Sequence, residues 1–405
     1  MHAVRSSQPR RKRVRALTVL LAAAALAAVP LVPASSAPRT GDAEDLTQVA
    51  YRGYIFTVPD SWQIVDLKKH PDTCVRFDRH AVYLGNPGSD QNCPARASGR
   101  TEALLVQPAP VAPKAVTENP TARTYRATAD RIAITAAYGY DRARIQDVLR
   151  SAGLPVATAR REEPGQERAV APLPKDATSF RGEGFDACTA PSQSAMDAWR
   201  DDSPYGAIGV YIGGLNRACA QQHLTADWVR TQYTRGWRFF PLYVGRQPSS
   251  DGGSCGGGCS AITSPVAQGT AAADDAVKQA AALGFGKGSV IYDDLEHYEP
   301  GGKVTEQVLA YVQAYTVRLH ALGYRSGAYG NTSSLVSDLI ANKSRVTLPD
   351  VIHFARWNRV SSTSDSSIPS TLWNKHQRVH QYVGDTTETH GGVRISIDRD
   401  RLDVD

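Results

Sequence analysis

The chain has 405 residues, which is more than one average domain needs and predicts two folded units. Its formal net charge of +6 arises within residues 1–37, which contain six basic side chains and no acidic one. The remainder is neutral and has no basic stripe, so its charge argues against a nucleic-acid partner. A hydrophobic content of 41% and a charged content of 21% are typical of globular proteins.

Residues 1–37 have the three parts of a secretory signal peptide. A basic run ends at Arg15, residues 16–32 are almost wholly apolar, and small residues suitable for cleavage follow. The pair Arg10-Arg11 also allows twin-arginine export. An uncleaved membrane anchor is the alternative, but the apolar run is near the lower length limit for spanning a bilayer. We therefore expect a secreted or cell-wall-associated protein with no stable membrane insertion after cleavage.

Short strand patterns dominate residues 46–155. This part is predicted to be a small β-rich module without a nucleophile–base pair or a metal cluster, and it ends in a helix at 141–151. A charged, proline-containing linker is predicted at 156–179. The predicted strands of the module are 51–59, 74–78, 81–85, 101–106 and 132–136.

From residue 180 onward, strand patterns alternate with helical ones. Helices are expected mainly between the first six of eight strands, and this alternation predicts an irregular (β/α)8 TIM-type barrel at 180–405. An open doubly wound sheet is the alternative, although no Gly-x-Gly-x-x-Gly follows the first strand. The predicted strands are 181–186, 207–213, 238–245, 289–296, 324–329, 351–357, 378–383 and 394–397.

Six cysteines in an exported chain predict disulfides. Fifteen pairings are possible, and the most local set is Cys74–Cys93, Cys188–Cys219 and Cys255–Cys259. Zinc is an alternative for the last pair, but no nearby histidine completes a tetrahedral set. We expect neither a metal nor a cofactor.

In a parallel barrel, the chemistry lies at the carboxyl ends of the strands. Four acids occupy such positions: Asp186, Asp294, Glu296 and Asp398. Five further side chains at strand ends are candidates for lining a sugar site: Tyr243, Tyr329, Trp357, Gln381 and Tyr382. Each has a structural alternative, since aspartates cap helices and aromatic rings fill cores. His297 and His353 are interpreted as structural.

The spacing of two of these acids has a geometric meaning. Side chains two residues apart in a strand share one face, so Asp294 and Glu296 are predicted to point into the barrel. Asp293 then falls on the outer face and is left out of the site. Crowded, partly desolvated acids keep their protons to higher pH, which is what the general acid of a glycosidase requires.

These strand-end motifs resemble those of a known family. GFDAC at 184–188, YDDLE at 292–296, GAYGN at 327–331, HQY at 380–382 and SIDRD at 396–400 resemble family 25 glycoside hydrolases, the peptidoglycan lysozymes. The closer resemblance, over 180–405, is to a secreted glycoside-hydrolase-like domain of unknown function that is distantly related to them. It implies a β/α barrel with four rim carboxylates at the positions given above and Glu296 as the proton donor. Cys188, His380 and the loop of Cys255 and Cys259 depart from the lysozyme pattern.

Two functions from different classes remain open at this point. The first is a hydrolase that cleaves cell-wall glycan, such as peptidoglycan, with Glu296 as general acid. The second is a catalytically inactive protein that binds cell-wall glycan on a glycosidase barrel, because a fold does not imply its function. In either case the module at 46–155 could direct the barrel to a wall polymer. The sequence gives no indication of an oligomeric state.

Overall fold

Two β-sheet systems follow one another in the computed structural model, which describes residues 44–161, 170–248 and 258–405. The predicted signal peptide and the predicted partner of Cys259, Cys255, lie outside the described residues. None of the helices in the described parts of the chain is long and apolar enough to cross a membrane. The described residues all belong to one compact unit, Glu44–Asp405.

The first system contains a hairpin, β1–β2, and a seven-stranded sheet in the order β3-β4-β5-β8-β7-β6-β9. Helix α1 (Arg142–Ser151) packs Ile145, Val148 and Leu149 into their shared core, and the side chain of Asp141 caps its first turn. The strands are β1 (Leu46–Tyr51), β2 (Tyr54–Pro59), β3 (Gln63–Asp66), β4 (Ala81–Leu84), β5 (Ala103–Pro108), β6 (Ala115–Asn119), β7 (Thr124–Ala129), β8 (Ile132–Ala137) and β9 (Arg160–Arg161).

Two strand predictions in this part need correction. The strand predicted at 51–59 begins only at Tyr54. Before it the chain turns between β1 and β2 at Arg52 and Gly53, whose φ angles are 50° and 88°. The region 74–78 forms no strand and makes an isolated bridge instead, from Arg76 to Cys219. The backbone of Arg76 therefore pairs with a residue 143 positions further along the chain rather than with a neighbouring strand of its own sheet.

The second system is a closed eight-stranded barrel in the order β10 to β17. Its closure excludes the open doubly wound sheet. The strands are β10 (Phe180–Asp186), β11 (Tyr205–Gly213), β12 (Arg238–Tyr243), β13 (Val290–Asp294), β14 (Arg325–Asn331), β15 (Val351–Ala355), β16 (Gln377–His390) and β17 (Val393–Val404). The helices are α2 (Gln193–Asp202), α3 (Ala226–Thr234), α4 (Pro265–Ala282), α5 (Gly302–Leu322) and α6 (Ser337–Ala341).

The alternation of strands and helices is less complete than in a regular (β/α)8 barrel. Each of β10 to β14 is followed by a helix, and β10 to β16 pair in parallel, but β17 is antiparallel to both of its neighbours. Gly391 and Gly392, with φ angles of 54° and 77°, form the two-residue turn between β16 and β17. Such a short turn can join only antiparallel strands, because a parallel pair needs a crossover of a dozen or more residues.

Side chains of each strand alternate between the barrel interior and the layer of helices. On β13, Val290 and Tyr292 belong to the interior cluster, whereas Ile291 and the following Leu295 pack in the outer cluster. This is the alternation expected from the sequence. Thr225 caps α3, since its hydroxyl accepts a hydrogen bond from the backbone N–H of Trp228.

The segment between the two systems packs at both of its described ends. β9 pairs with β6 of the first sheet, and Leu173 is buried in the outer cluster of the barrel, where its N–H donates to Gly284 O at 2.8 Å. The first system also contacts the barrel directly, because the N–H of Phe77 donates to Ala218 O at 2.8 Å and Ala220 N donates to Val75 O at 3.0 Å. Ala220 itself completes a hydrophobic cluster of the first system.

Two disulfides brace this contact, and both are pairs predicted from the sequence: Cys74–Cys93 and Cys188–Cys219. The first closes a loop of the β-rich part, and the second joins the segments that follow β10 and β11. The hydroxyl of Thr189 donates to Cys93 Sγ at 3.3 Å, so the two bridges lie close together.

Removing the bridge between the barrel segments should destabilise the protein. The cysteines are 31 residues apart, and a loop of this length limits the unfolded chain enough to contribute about 3 to 4 kcal/mol. We expect the double variant C188A/C219A to lose about this much free energy of unfolding in urea denaturation. The native protein under the same oxidising conditions is the control, and an unchanged midpoint would contradict the expectation.

Candidate active site

The four predicted rim acids lie at one end of the barrel. Asp186 ends β10, Asp294 ends β13, and Glu296 follows two residues later. Asp398 lies inside β17 rather than at the end of a parallel strand, but the register of the antiparallel pair places it opposite Asp186. The reversed strand thus brings Asp398 to the level at which a parallel strand would have ended.

The side-chain amide of Gln381 joins two of these acids. Its Nε2 donates to Asp186 Oδ2 at 3.1 Å and to Asp398 Oδ2 at 3.2 Å. Asp186 also accepts from the Tyr211 hydroxyl at 2.8 Å, and Asp398 accepts from the backbone N–H of Asp385 at 2.6 Å. All three buried side chains are therefore fixed by hydrogen bonds.

Burial makes this pair retain protons. Burial and then the charge of Asp400 raise the pKa of Asp186 to about 8. Burial and the charge of Asp186 raise the pKa of Asp398 well above its ordinary value. Two carboxylates in one site cannot both ionise at low energy, so the pair holds at least one proton at neutral pH.

Asp294 is also buried, and its Oδ1 has no hydrogen-bond partner among the described residues. Burial, followed by the charges of Glu296 and Asp186, raises its pKa well above the ordinary value. The buried amide of Gln247 fixes the backbone here, because it donates to Asp294 O at 2.7 Å and accepts from Glu296 N at 2.8 Å. The end of β13 is therefore held in one conformation.

Glu296 differs from the other three acids because it lines a cavity of about 390 Å³. Its Oε1 accepts a hydrogen bond from the Ser98 hydroxyl at 3.2 Å. Neither Glu296 nor Asp294 forms an ion pair with another described residue. The carboxyl group of Glu296 is thus positioned at the cavity without being neutralised by a direct cationic partner.

Two aromatic side chains of the predicted set lie at this cavity, Tyr329 and Trp357. Both donate to Gln381 Oε1, Tyr329 from its hydroxyl at 2.9 Å and Trp357 from Nε1 at 3.0 Å. One side of the Trp357 indole packs so closely on Gly384 that an added Cβ would lie 1.9 Å from its Cζ2. The Arg96 guanidinium lies 4.5 Å from the centre of the same ring.

The other three predicted lining residues do not line this cavity: Gln381 is buried beneath it, and Tyr243 and Tyr382 point elsewhere. Tyr243 is buried in the outer cluster, and its hydroxyl donates to Asp275 of α4 at 2.9 Å. Tyr382 donates to Glu183 at 2.8 Å. The physical reason is strand alternation, because the preceding residues, Leu242 and Gln381, take the inner face.

Arg96, Ser98 and Gln247 also belong to the site, although none of them is predicted from the sequence. Ser98 contacts Glu296 across 198 residues of sequence, and neither serine nor arginine stands in a recognisable motif there. Gln247 follows β12 in the chain, and its position just after a barrel strand is a signal that could have been used. Both modules thus contribute side chains to the same cavity.

One cluster under the rim has the composition of a metal site: Asp186, His353 and Asp400. His353 Nε2 lies 2.8 Å from Asp400 Oδ1, and all three side chains are fully buried. Burial lowers the pKa of His353 to about 4 and raises the pKa of Asp400 well above its ordinary value. These directions describe a neutral, hydrogen-bonded set inside the barrel, which supports the structural interpretation of His353.

Residues 197–402 match the family described as Rv2525c-like, glycoside hydrolase-like domain. The chain belongs to this family. The matched range includes Asp294, Glu296 and Asp398, whereas Asp186, Arg96 and Ser98 precede it. No curated protein matches the sequence.

Several solved structures resemble the chain at low identity. An uncharacterised B. stearothermophilus protein is 17% identical with a TM-score of 0.36, over 55% of this chain and 95% of that one. The catalytic domain of the endolysin ply40, from bacteriophage P40 of Listeria monocytogenes, is 13% identical with a TM-score of 0.33, over 55% and 93%. The modular autolysin LytC of Streptococcus pneumoniae, in complex with a synthetic peptidoglycan ligand, is 10% identical with a TM-score of 0.36, over 69% and 56%.

A further buried acid lies beside the site on the outer face of β13. Asp293 was correctly left out of the inward-facing set, but it is fully buried, and neither of its carboxyl oxygens has a partner among the described residues. Burial raises its pKa well above the ordinary value. The folded protein therefore keeps a proton on Asp293 that the unfolded chain loses above about pH 4.

This proton makes stability depend on pH in a defined direction. Above about pH 4 the unfolded chain has lost the Asp293 proton that the folded protein keeps. The free energy of unfolding should therefore fall by up to about 1.4 kcal/mol per pH unit, until the pH reaches the pKa of Asp293 in the folded protein. Asp293→Asn removes this loss, so its stability relative to native should rise between pH 5 and pH 7 in urea denaturation. The exposed Asp130→Asn is the control, and a difference that is independent of pH for Asp293→Asn would contradict the assignment.

Proposed function

We propose that this protein is an exported glycoside hydrolase that cleaves cell-wall glycan, in the manner of a muramidase, with Glu296 as general acid. One observation carries the proposal. Asp294 and Glu296 stand at the end of one buried barrel strand, and of the four rim acids only Glu296 lines the cavity. Membership of a glycoside-hydrolase-like family supports the same chemistry.

In this proposal Glu296 protonates the glycosidic oxygen of a β-1,4 bond beside an N-acetylated sugar. Asp294 acts as its partner, either by orienting the acetamido group or by stabilising the positive charge that develops at the reacting carbon. The raised pKa of Asp294 favours the first of these roles, because a protonated carboxyl group carries no negative charge with which to stabilise a cation. A general acid of this kind contributes about 10²- to 10⁴-fold to the rate.

Asp186 and Asp398 complete the proposed acid set from beneath the cavity. They fix the amide of Gln381, whose Oε1 in turn holds Tyr329 and Trp357. We therefore assign substrate lining to Tyr329 and Trp357 and a supporting role to Gln381. Tyr243 and Tyr382 have no part in it, since both are bonded elsewhere.

We also propose the arrangement of the exported chain. Residues 1–37 are a signal peptide, residues 46–155 a β-rich module, 156–179 a linker and 180–405 the glycoside-hydrolase-like barrel. The disulfides Cys74–Cys93 and Cys188–Cys219 support a location outside the reducing cytosol, secreted or associated with the cell wall.

A catalytically inactive glycan-binding protein is the second candidate, and one observation favours it. Ser98 donates to Glu296, and the Arg96 guanidinium lies 4.5 Å from the centre of the Trp357 ring, so the first module occupies part of the cavity. A site that is partly filled by its own chain could bind glycan without cleaving it. The two candidates differ in whether reducing ends are released.

The decisive variant is Glu296→Gln, which keeps the shape of the side chain and removes its proton. We expect the mature native protein to release reducing sugars from purified peptidoglycan and this variant to lose at least about 100-fold of that activity. Glu306→Gln, the same change on the exposed surface of α5, should leave activity unchanged.

Unchanged activity in Glu296→Gln would exclude the assigned general acid. Absence of release by the native protein, together with sedimentation of native protein and variant with the wall material, would replace the hydrolase by the binding protein.

A further inference from the structure

The segment that carries Arg96 and Ser98 is held on the barrel by backbone hydrogen bonds. Ser98 and Arg217 form an isolated antiparallel bridge, and Gly99 N donates to Asn216 O at 2.8 Å. The buried guanidinium of Arg100 donates to Arg217 O at 2.6 Å. This part of the first module is therefore a fixed wall of the barrel cavity.

Arg96 places its guanidinium inside this wall and keeps most of its donors free. A guanidinium has five N–H donors. Among the described residues Arg96 uses one of them in a hydrogen bond, from Nη2 to Asp385 Oδ2 at 3.3 Å. The Asp385 side chain is 55% exposed, and an ion pair with so exposed a partner is weak. The position over Trp357 holds the guanidinium at the indole face and leaves available the N–H donors that do not contact Asp385.

The charges around the cavity give Arg96 a specific use. The rim is acidic, with Glu296 at the cavity wall and Asp294, Asp398 and Asp385 near it. Among the described residues that line the cavity, Arg96 is the single arginine or lysine and Glu296 is the single acid, so a negatively charged group of a ligand is placed most favourably beside Arg96. Although burial alone lowers the pKa of Arg96, the surrounding Tyr329, Glu296 and Asp398 raise it overall, so the side chain stays cationic.

We propose that Arg96, supplied by the first module, is a specificity-determining residue that pairs with a carboxylate on the bound glycan. The inference rests on the proposed glycan site and names the chemical class that this site selects. A planar guanidinium held on an indole face matches a carboxylate through two parallel hydrogen bonds. The matched family range begins at residue 197, so this contribution comes from outside it.

The test compares two soluble probes, one with charged carboxylates and one in which uncharged amides replace them. One is a tetrasaccharide of alternating N-acetylglucosamine and N-acetylmuramic acid, and the other is the same compound with its carboxylates converted to methylamides. Affinity is measured by calorimetry on full mature chains that carry Glu296→Gln, so that the probes are not cleaved. Arg96→Gln is compared with Arg131→Gln, an exposed arginine of the same module.

We expect Arg96→Gln to weaken binding of the acid probe about tenfold, as loss of a charged hydrogen bond does. Binding of the amide probe should change less than twofold, Arg131→Gln should change neither, and Arg96→Lys should recover part of the affinity for the acid. Equal losses for both probes, no loss for either, or no binding of the acid probe by the parent chain would overturn the proposal. Because affinity is measured without turnover, failure here is distinct from failure of the hydrolysis assay.

Discussion

The side-chain amide of Gln381 is the contact on which the geometry of the rim depends. Its nitrogen joins Asp186 to Asp398, and its oxygen receives the hydroxyl of Tyr329 and the indole N–H of Trp357. The amide is fully buried, so each of these bonds forms without competition from water. Acids from β10 and β17, Tyr329 of β14 and Trp357, which follows β15, are thereby fixed relative to one another.

The second constraint on the site is the burial of charge. Asp186, Asp294 and Asp398 are all too deeply buried to ionise together, and their pKa values are raised accordingly. Glu296 alone faces the cavity. The rim therefore separates carboxyl groups that hold protons in the interior from one carboxyl group that can meet a ligand, and this division arises from depth in the barrel rather than from residue type.

The sequence predicts the part of this site that depends on local periodicity. Strand alternation correctly places Asp294 inside and Ile291 and Leu295 outside. Strand alternation also implies that the adjacent residues Gln381 and Tyr382 point to opposite faces of β16, so that both cannot line one cavity. The antiparallel direction of the last strand could also have been predicted from the sequence, because Gly391-Gly392 is typical of a two-residue hairpin turn.

The contribution of Arg96 and Ser98 to the cavity could not have been predicted in this way. It depends on a contact between segments that are far apart in the chain, for which a single sequence has no periodic signal. The pairing of the region 74–78 with the segment after β11 is hidden for the same reason. Long-range docking therefore marks the limit of what the sequence alone could predict here.

The shared cluster that contains Phe77 and Ala220 has a practical consequence for anyone who isolates the barrel. A recombinant fragment cut at the start of the family match would lose β10, and with it one of the two strands that flank β17. A fragment cut at residue 180 would keep the barrel but uncover Ala220 and remove one wall of the cavity. Ligand-binding results obtained with either fragment would then describe a wider and more acidic pocket than the one present in the intact chain.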